Sequence, residues 1–158
     1  MIVVSDSSPL ILLAKIGRLE LLREVYGGVL IPEAVHRETT RSDRPGAREI
    51  LDADWIERAQ VKDRSRVATL RRDLHEGEAE AIALAVERYA DVILLDEEAA
   101  REKAREAGLF VTGSLGVAIE AKKQGHVASA RPVLEALRNS GLWVSDAVFD
   151  RALRLAGE

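Results

Sequence analysis

Residues 77–96 read GEAEAIALAVERYADVILLD, and this stretch sets the pattern for the whole chain. Its first part carries apolar residues at helical spacing, at Ala79, Ile82, Ala83 and Val86. A fully apolar run follows at residues 92–95 and ends at Asp96. A short continuous run of this kind is typical of a strand that is buried on both faces of a parallel sheet. The stretch therefore predicts a helix that leads into a buried parallel strand.

The same alternation of strand and helix continues on both sides of this stretch. Further apolar strands are predicted at residues 2–5, 29–31 and 109–112. The first of them leads directly into a helix, with Asp6 at the junction and Ser8-Pro9 as its N-cap and first-turn proline. Strands joined by helical crossovers predict an α/β fold of three layers, α/β/α, with a mainly parallel central sheet.

Helices are predicted in the connecting segments from their apolar spacing and from the serine, proline and glycine residues at their ends. They cover residues 10–25, 33–39, 45–51, 78–89, 97–107, 114–124, 132–139 and 146–156. Ser145 is the expected cap of the last helix, whereas residues 62–74 are only weakly amphipathic. Trp55 and Trp143 are expected to pack in the core or at its edge rather than to stack on bases.

The bulk composition limits the kind of protein that this chain can be. With 158 residues, of which 47% are hydrophobic and 32% charged, it suits one globular domain, placed at residues 1–158. The chain contains no cysteine, which excludes disulfides, thiolate zinc sites and cysteine nucleophiles. No apolar run approaches the length of a membrane span, and no signal-peptide pattern follows Met1. We therefore expect a cytoplasmic protein with no membrane partner.

The charge distribution is compatible with a nucleic-acid partner despite a net charge of −4. That charge is matched by four acids that bound divalent cations would neutralise, namely Asp6, Glu38, Glu78 and Asp96. Arginine makes up 18 of the 23 basic residues and is concentrated in residues 37–48 and 62–72. Each of these two stretches is either a track for nucleic-acid phosphates or a solvated helix face.

Polar residues follow three of the predicted strands at the point where each strand ends. They are Asp6, Asp96 and the turn Thr112-Gly113-Ser114. In open parallel sheets ligands bind beyond the carboxyl ends of the strands, so these positions point to one crevice. Glu38 lies shortly after the second strand and Glu78 starts the helix before Asp96, so both can reach the same edge.

A cluster of carboxylates implies either strongly raised pKa values or a bound divalent metal ion, because like charges that are packed together are costly. Ligation by oxygen alone favours Mg²⁺ or Mn²⁺. Such ions make water nucleophilic near neutral pH and stabilise the charge that develops during phosphodiester displacement. The alternative for each acid taken singly is a helix N-cap or a favourable partner of the helix dipole. The three histidines lack a metal-binding spacing and receive no role.

Four motifs occur in a characteristic order along the chain: VVSDSSPLI at residues 3–11, IPEAVHRE at 31–38, GEAEAIALA at 77–85 and ILLDEEAAR at 93–101. Their order and spacing resemble the PIN-domain family, in particular the VapC-like branch of prokaryotic toxin–antitoxin ribonucleases. The likeness extends to the C-terminal helices and so covers nearly the whole chain. It implies the PIN-like form of the α/β/α fold.

The resemblance also implies a set of site residues. The family's acidic metal-binding positions correspond to Asp6, Glu38, Glu78 and Asp96, and its small polar positions to Ser7, Thr112 and Ser114. The third acid, often Asp in VapC toxins, is a Glu in this chain. Two alternatives stay open: Glu80, turned well around the helix from Glu78, replaces it, or Glu33 replaces Glu38.

The activity implied by the resemblance is metal-dependent endoribonuclease cleavage of RNA, with Mg²⁺ or Mn²⁺ as cofactor. The implied partners are an RNA substrate, a small antitoxin protein and a second copy of the chain in a homodimer. The rival interpretation is a catalytically silent PIN-like fold that serves as a binding or scaffold module. A haloacid-dehalogenase phosphatase is disfavoured because it needs Asp where Ser8 stands, and a receiver domain because its acidic pair and late lysine are missing.

Overall fold

Five parallel strands form the central sheet of the computed structural model, which describes residues 1–158. The strands are β1 (Val3–Ser5), β2 (Val29–Pro32), β3 (Ile56–Ala59), β4 (Val92–Leu94) and β5 (Val111–Thr112). Their order across the sheet is β3-β2-β1-β4-β5, and every neighbouring pair is parallel. The first strand is therefore central, and Val4 pairs with Leu30 on one side and with Ile93 on the other.

Ten helices connect and cover these strands. They are α1 (Ser7–Lys15), α2 (Leu21–Tyr26), α3 (Glu33–Thr39), α4 (Ala47–Asp52), α5 (Arg64–Leu70), α6 (Glu76–Glu87), α7 (Glu98–Glu106), α8 (Ser114–Lys123), α9 (Arg131–Asn139) and α10 (Asp146–Leu155). The longest, α6, has 12 residues. None of the ten has both the length and the apolar character needed to cross a bilayer.

The two faces of the sheet pack against different helices. Val3 and Leu94 belong to a core of 23 buried residues that includes side chains of α1, α2, α8, α9 and α10. Val4 and Ile93 belong to a second core, which α6 and α7 complete. Because successive residues of a strand face opposite sides, strands buried on both faces need unbroken apolar runs. The predicted three-layer α/β/α fold with a parallel sheet is confirmed.

Strand β3 is absent from the predicted strands because its central residues are charged. It pairs only with β2, and its two central residues, Glu57 and Arg58, are exposed. The strand therefore has no continuous apolar run. Charged residues on an edge strand discourage pairing with another chain, so the feature that hides this strand from prediction also protects the sheet edge.

Several local predictions are wrong. Residues 10–25 belong to two helices rather than one, because the chain turns at Gly17, whose φ of 70° suits glycine. The first helix starts at Ser7, so Ser8 is not its N-cap. Trp143 is 87% exposed instead of packed, whereas Trp55 does pack against the core. The cap of the last helix is confirmed, since Ser145 Oγ accepts a hydrogen bond from the backbone of α10.

Candidate active site

A cleft of about 940 Å³ opens where β1, β2 and β4 end. It is lined by the residues that follow these strands and by the first turn of α6. Three of the predicted acids, Asp6, Glu38 and Glu78, lie in its wall. The fourth, Asp96, is connected to the wall by a hydrogen bond from Ser8. The fold thus brings acids from four distant segments to one edge of the sheet.

Asp6 lies between β1 and α1 and is only 7% exposed. Its backbone N–H donates to the carbonyl of Leu94 on the neighbouring strand at 3.1 Å, which fixes the residue at the end of the sheet. Although Asp6 stands at the N-cap position of α1, its carboxylate makes no capping hydrogen bond. The helix-cap interpretation therefore does not account for this acid.

The Asp6 carboxyl has an unusual electrostatic environment. Burial, together with the charges of Glu78, Glu38 and Asp96, raises its pKa to about 7 against the opposing effect of the Ser7 backbone N–H. All three other acids therefore lie close enough to act on this one group. A bound cation would relieve this repulsion and restore the ionised form.

Glu38 and Asp6 face the same gap, which a glycine keeps open. An ideal Cβ on Gly77 would lie 3.3 Å from Asp6 Oδ1 and 3.6 Å from Glu38 Oε2. The hydroxyl of Ser7 donates to Glu38 Oε2 at 2.9 Å, and Arg44 Nη2 lies 3.5 Å from Glu38 Oε1. Any side chain at position 77 would enter the space between the two carboxylates.

Glu78 combines a helix-capping contact with exposure to the cleft. It is the third residue of α6, and its Oε1 accepts a hydrogen bond from the backbone N–H of His75 at 3.0 Å. The side chain lines the cleft although the residue is only 6% exposed. One oxygen thus stabilises the start of α6, which leaves the other available to a ligand.

Asp96 follows β4 and is held by three hydrogen bonds. Its Oδ1 accepts from the backbone N–H of Ser114 at 2.7 Å, and its Oδ2 accepts from the hydroxyls of Ser114 and Ser8, both at 2.8 Å. An ideal Cβ on Gly113 would lie 2.6 Å from Asp96 Oδ1, so glycine is needed for α8 to come this close. Asp96 therefore ties the first turns of α1 and α8 together.

Ser8, Gly77 and Arg101 belong to the site but are not among the predicted site residues. Arg101 Nη1 donates to the Leu95 carbonyl at 2.8 Å and so fixes the turn that carries Asp96. Ser8 has a usable sequence signal, because a first-turn hydroxyl directly after a strand end lies near the ligand edge. The roles of Gly77 and Arg101 depend on contacts between segments and carry no comparable signal.

Two of the three predicted small polar residues reach the acids. Ser7 and Ser114 are 4% and 0% exposed, and each donates to one of the carboxylates. The structure does not bring Thr112 to the cluster. Its hydroxyl lies against Gly116, where an ideal Cβ would be 1.8 Å from Thr112 Oγ1, and its side chain lines a second groove beside Phe110.

The two alternative acids have partners outside the cleft. Glu80 is 3% exposed, and its Oε1 accepts from the Ala34 backbone N–H at 3.0 Å while its Oε2 lies 3.1 Å from Arg64 Nη1. It therefore satisfies an N–H in the first turn of α3. Glu33 Oε1 lies 3.1 Å from Arg58 Nε on the edge strand. Neither acid lines the cleft, so the geometry favours Glu78 and Glu38.

The donor set of the cleft fits a hard divalent cation by its chemistry, since every acid contributes oxygen. The side chains are not preassembled into a cage, because no group of three or more acidic or histidine side chains is arranged to hold a metal ion. Instead, Ser7 holds Glu38, and Ser8 and Ser114 hold Asp96. Ligation by all four acids would require some of these carboxylates to turn from serine toward Asp6.

Comparison with known families supports this interpretation of the fold. The model of the family DUF3368, described as a PIN domain, matches residues 2–158. No curated protein matches the chain. PIN domains are generally nucleases and typically bind a divalent metal ion. Since the match spans nearly the entire chain, this protein belongs to the PIN-domain family.

Proposed function

We propose that this PIN domain, residues 1–158, is a metal-dependent endoribonuclease in which four acids hold Mg²⁺ or Mn²⁺: Asp6, Glu38, Glu78 and Asp96. The observation that carries the proposal is the buried Asp6 carboxyl, whose pKa three other acids raise at the ligand edge of a parallel sheet. Burying like charges costs stability. A divalent cation bound between the acids would compensate this cost.

The residues of the cleft have distinct parts in this proposal. Asp6 and Glu78 are the most buried of the four acids and form the floor of the cation site. Serine hydroxyls orient the other two acids, as Ser7 does for Glu38. When bound, the cation supplies an activated water and stabilises charge on the phosphate oxygens.

We further propose that the protein is the toxin of a toxin–antitoxin pair, on the strength of its VapC-like motifs. Its partners are then an RNA substrate, a small antitoxin that covers the cleft and a second copy of the chain in a homodimer, all in the cytoplasm. A short open reading frame directly upstream of the gene, whose product co-purifies with this chain, would support the pairing. Growth unaffected by expression of the chain alone would contradict it.

A second candidate function is a catalytically silent PIN-like binding module. One observation favours it: serine hydroxyls already engage Glu38 and Asp96, and the acids are not arranged as a ready-made metal site. This candidate predicts that the cleft binds a partner without cleaving RNA. The two candidates therefore differ in a single measurable activity.

The test is an assay of purified protein on a structured and an unstructured RNA with Mg²⁺, Mn²⁺ or EDTA. We expect cleavage by the wild type with metal and none by Asp6→Asn/Asp96→Asn. Glu97→Gln is the matched control, because Glu97 lines the same cleft and is not one of the four acids. Cleavage that survives EDTA, or equal cleavage by the double variant, would overturn the proposal. A wild type that never cleaves would support the silent module.

A further inference from the structure

Three arginines line the same cleft as the acids, and they differ in how their charges are compensated. Arg37 pairs with Glu76 at 2.7 Å and Arg41 with Asp43 at 3.0 Å, and neither of these acids belongs to the four-acid cluster. Arg44 has a weaker contact, since its Nη2 is 3.5 Å from Glu38 Oε1. It is therefore the cleft arginine with the least complete pairing.

Arg44 also has an unused hydrogen-bond donor. Its Nε is buried and lacks a partner, and no other buried side-chain nitrogen or oxygen in the chain is in this state. The side chain is 34% exposed, so part of it remains open to the cleft. Buried polar groups in folded proteins nearly always have partners. The Arg44 guanidinium therefore keeps hydrogen-bonding capacity that an acceptor entering the cleft can use.

The loop that carries Arg44 is fixed against the neighbouring helix. An ideal Cβ on Gly46 would lie 2.3 Å from the Cβ of Ala14 in α1, so a glycine is required for this close approach. Within the loop, the Arg44 N–H donates to the Arg41 carbonyl at 2.9 Å, and the Ala47 N–H donates to the Arg44 carbonyl at 3.2 Å. These contacts hold the backbone of Arg44 at the rim of the cleft.

The charges around Arg44 select the chemistry of the ligand. The acids of the cleft floor disfavour a phosphate beside them unless a cation is bound, so a strand needs a positive side chain at the rim to hold it. A guanidinium donates a planar pair of N–H groups that matches the oxygens of a phosphate. A nucleic-acid strand has one phosphate per nucleotide, so one phosphate can approach the acids while the next meets Arg44.

We propose that Arg44 binds an RNA phosphate adjacent to the one at the acid cluster and thereby sets the position of the strand in the cleft. This assignment rests on the proposed nuclease function. The contact with Glu38 holds the guanidinium at the rim in the free protein, and phosphate oxygens replace it when RNA binds. Arg44 is thus a substrate-binding residue beside the cation site.

The test measures the affinity for a labelled single-stranded RNA in EDTA, where metal-dependent cleavage is absent, over a range of salt concentrations. We expect Arg44→Gln to weaken binding roughly 5- to 10-fold at low salt and to reduce the slope of log K against log salt by about 0.7. Arg48→Gln is the matched control, because Arg48 is 82% exposed, pairs with Asp52 and does not line the cleft. It should bind as the wild type does.

An unchanged salt slope for Arg44→Gln, an equal loss for Arg48→Gln, or no RNA binding by the wild type would overturn the proposal. A purely structural role of Arg44 in holding Glu38 would lower cleavage without changing the slope. If Arg44→Gln does not fold, Arg44→Lys is tested instead. Because lysine keeps the positive charge, we expect the salt slope of the wild type but a weaker affinity for RNA. If the wild type binds RNA through Arg44 but never cleaves it, only the proposed nuclease function is contradicted. If Arg44→Gln binds RNA normally and the protein cleaves it, only the assignment of Arg44 is contradicted.

Discussion

Asp6 and Glu80 are both almost completely buried carboxylates, at 7% and 3% exposure, but their surroundings are opposite. Glu80 accepts from the Ala34 backbone N–H at 3.0 Å and pairs with Arg64 at 3.1 Å. Asp6 has no capping hydrogen bond and is surrounded by three further acids. Hydrogen bonds and a positive partner compensate the burial of Glu80, whereas the burial of Asp6 among other acids is compensated only by a proton or a cation.

The largest expected effect is on RNA cleavage, which should depend on Asp6 but not on Glu80. Asp6→Asn should lower metal-dependent RNA cleavage about 1000-fold, because several kcal/mol of charge stabilisation by the metal are lost. Glu80→Gln should cleave nearly as fast as the wild type, since its amide oxygen still accepts from Ala34 and it does not line the cleft. Single-turnover cleavage with Mn²⁺ measures both rates. Comparable losses in the two variants would remove the distinction.

The next effect concerns the pH dependence of stability without metal. The pKa of Asp6 is about 7 in the folded protein against 3.8 as the ordinary value, so the folded state holds this proton more tightly. The free energy of unfolding should therefore fall as pH rises from about 4 to about 7, by up to about 4 kcal/mol from this group. Asp6→Asn should remove most of this fall and so be the more stable protein above pH 7.

Urea unfolding in EDTA at several pH values checks this prediction. Glu80→Gln is the control, because its change should leave the Asp6 environment intact and the fall with pH in place. A difference in stability between the wild type and Asp6→Asn that stays constant between about pH 4 and pH 7 would contradict the raised pKa of Asp6.

A smaller effect concerns stability, where substitution of Glu80 should cost more than substitution of Asp6. Glu80→Ala should lower the free energy of unfolding by about 2 kcal/mol, because the buried Ala34 N–H loses its acceptor. Asp6→Asn should be stabilising under the same conditions, in EDTA above neutral pH. Calorimetry of both variants measures the difference. A loss of stability in Asp6→Asn as large as in Glu80→Ala would favour a structural role for Asp6.

The smallest effect tests the hydroxyls that hold Asp96. Ser8→Ala should reduce cleavage about tenfold by removing one of the two hydrogen bonds to Asp96 Oδ2, while the two bonds from Ser114 stay in place. The loss should appear mainly in kcat rather than in KM, since Ser8 orients an acid in this account. Cleavage by Ser8→Ala at the wild-type rate would show that the orientation of Asp96 does not depend on this hydroxyl.

The fold could be predicted from the sequence wherever a buried strand consists of consecutive apolar residues. The central strands β1 and β4 are buried on both faces, so their composition alone identifies them. The edge strand β3 has exposed Glu57 and Arg58, and its pairing with β2 depends on tertiary structure. Local composition therefore fails at β3, whose central residues are charged, whereas β5 at the other edge of the sheet has an apolar run and was predicted.

The location of the site at the carboxyl ends of the strands could be predicted, but its side-chain contacts could not. Asp6 and Asp96 follow adjacent strands, and adjacent parallel strands end side by side. The choice between Glu78 and Glu80 depends on tertiary structure, because Glu80 is the acid that accepts a hydrogen bond from the Ala34 N–H of another helix. Arg44 lies in the arginine-rich stretch 37–48 that the sequence offered as a phosphate track, and only the structure separates it from Arg37 and Arg41 by its less complete pairing.

The central claim is that Asp6 and the three acids around it form a divalent-cation site, and calorimetric titration with Mn²⁺ tests it most directly. At about pH 8, above the pKa of Asp6, the wild type and Glu80→Gln should bind the ion with equal affinity. Asp6→Asn should bind at least about tenfold more weakly, the loss that removing even an outer-shell partner of a metal causes. Absence of Mn²⁺ binding by the wild type, or undiminished binding by Asp6→Asn, would contradict the account.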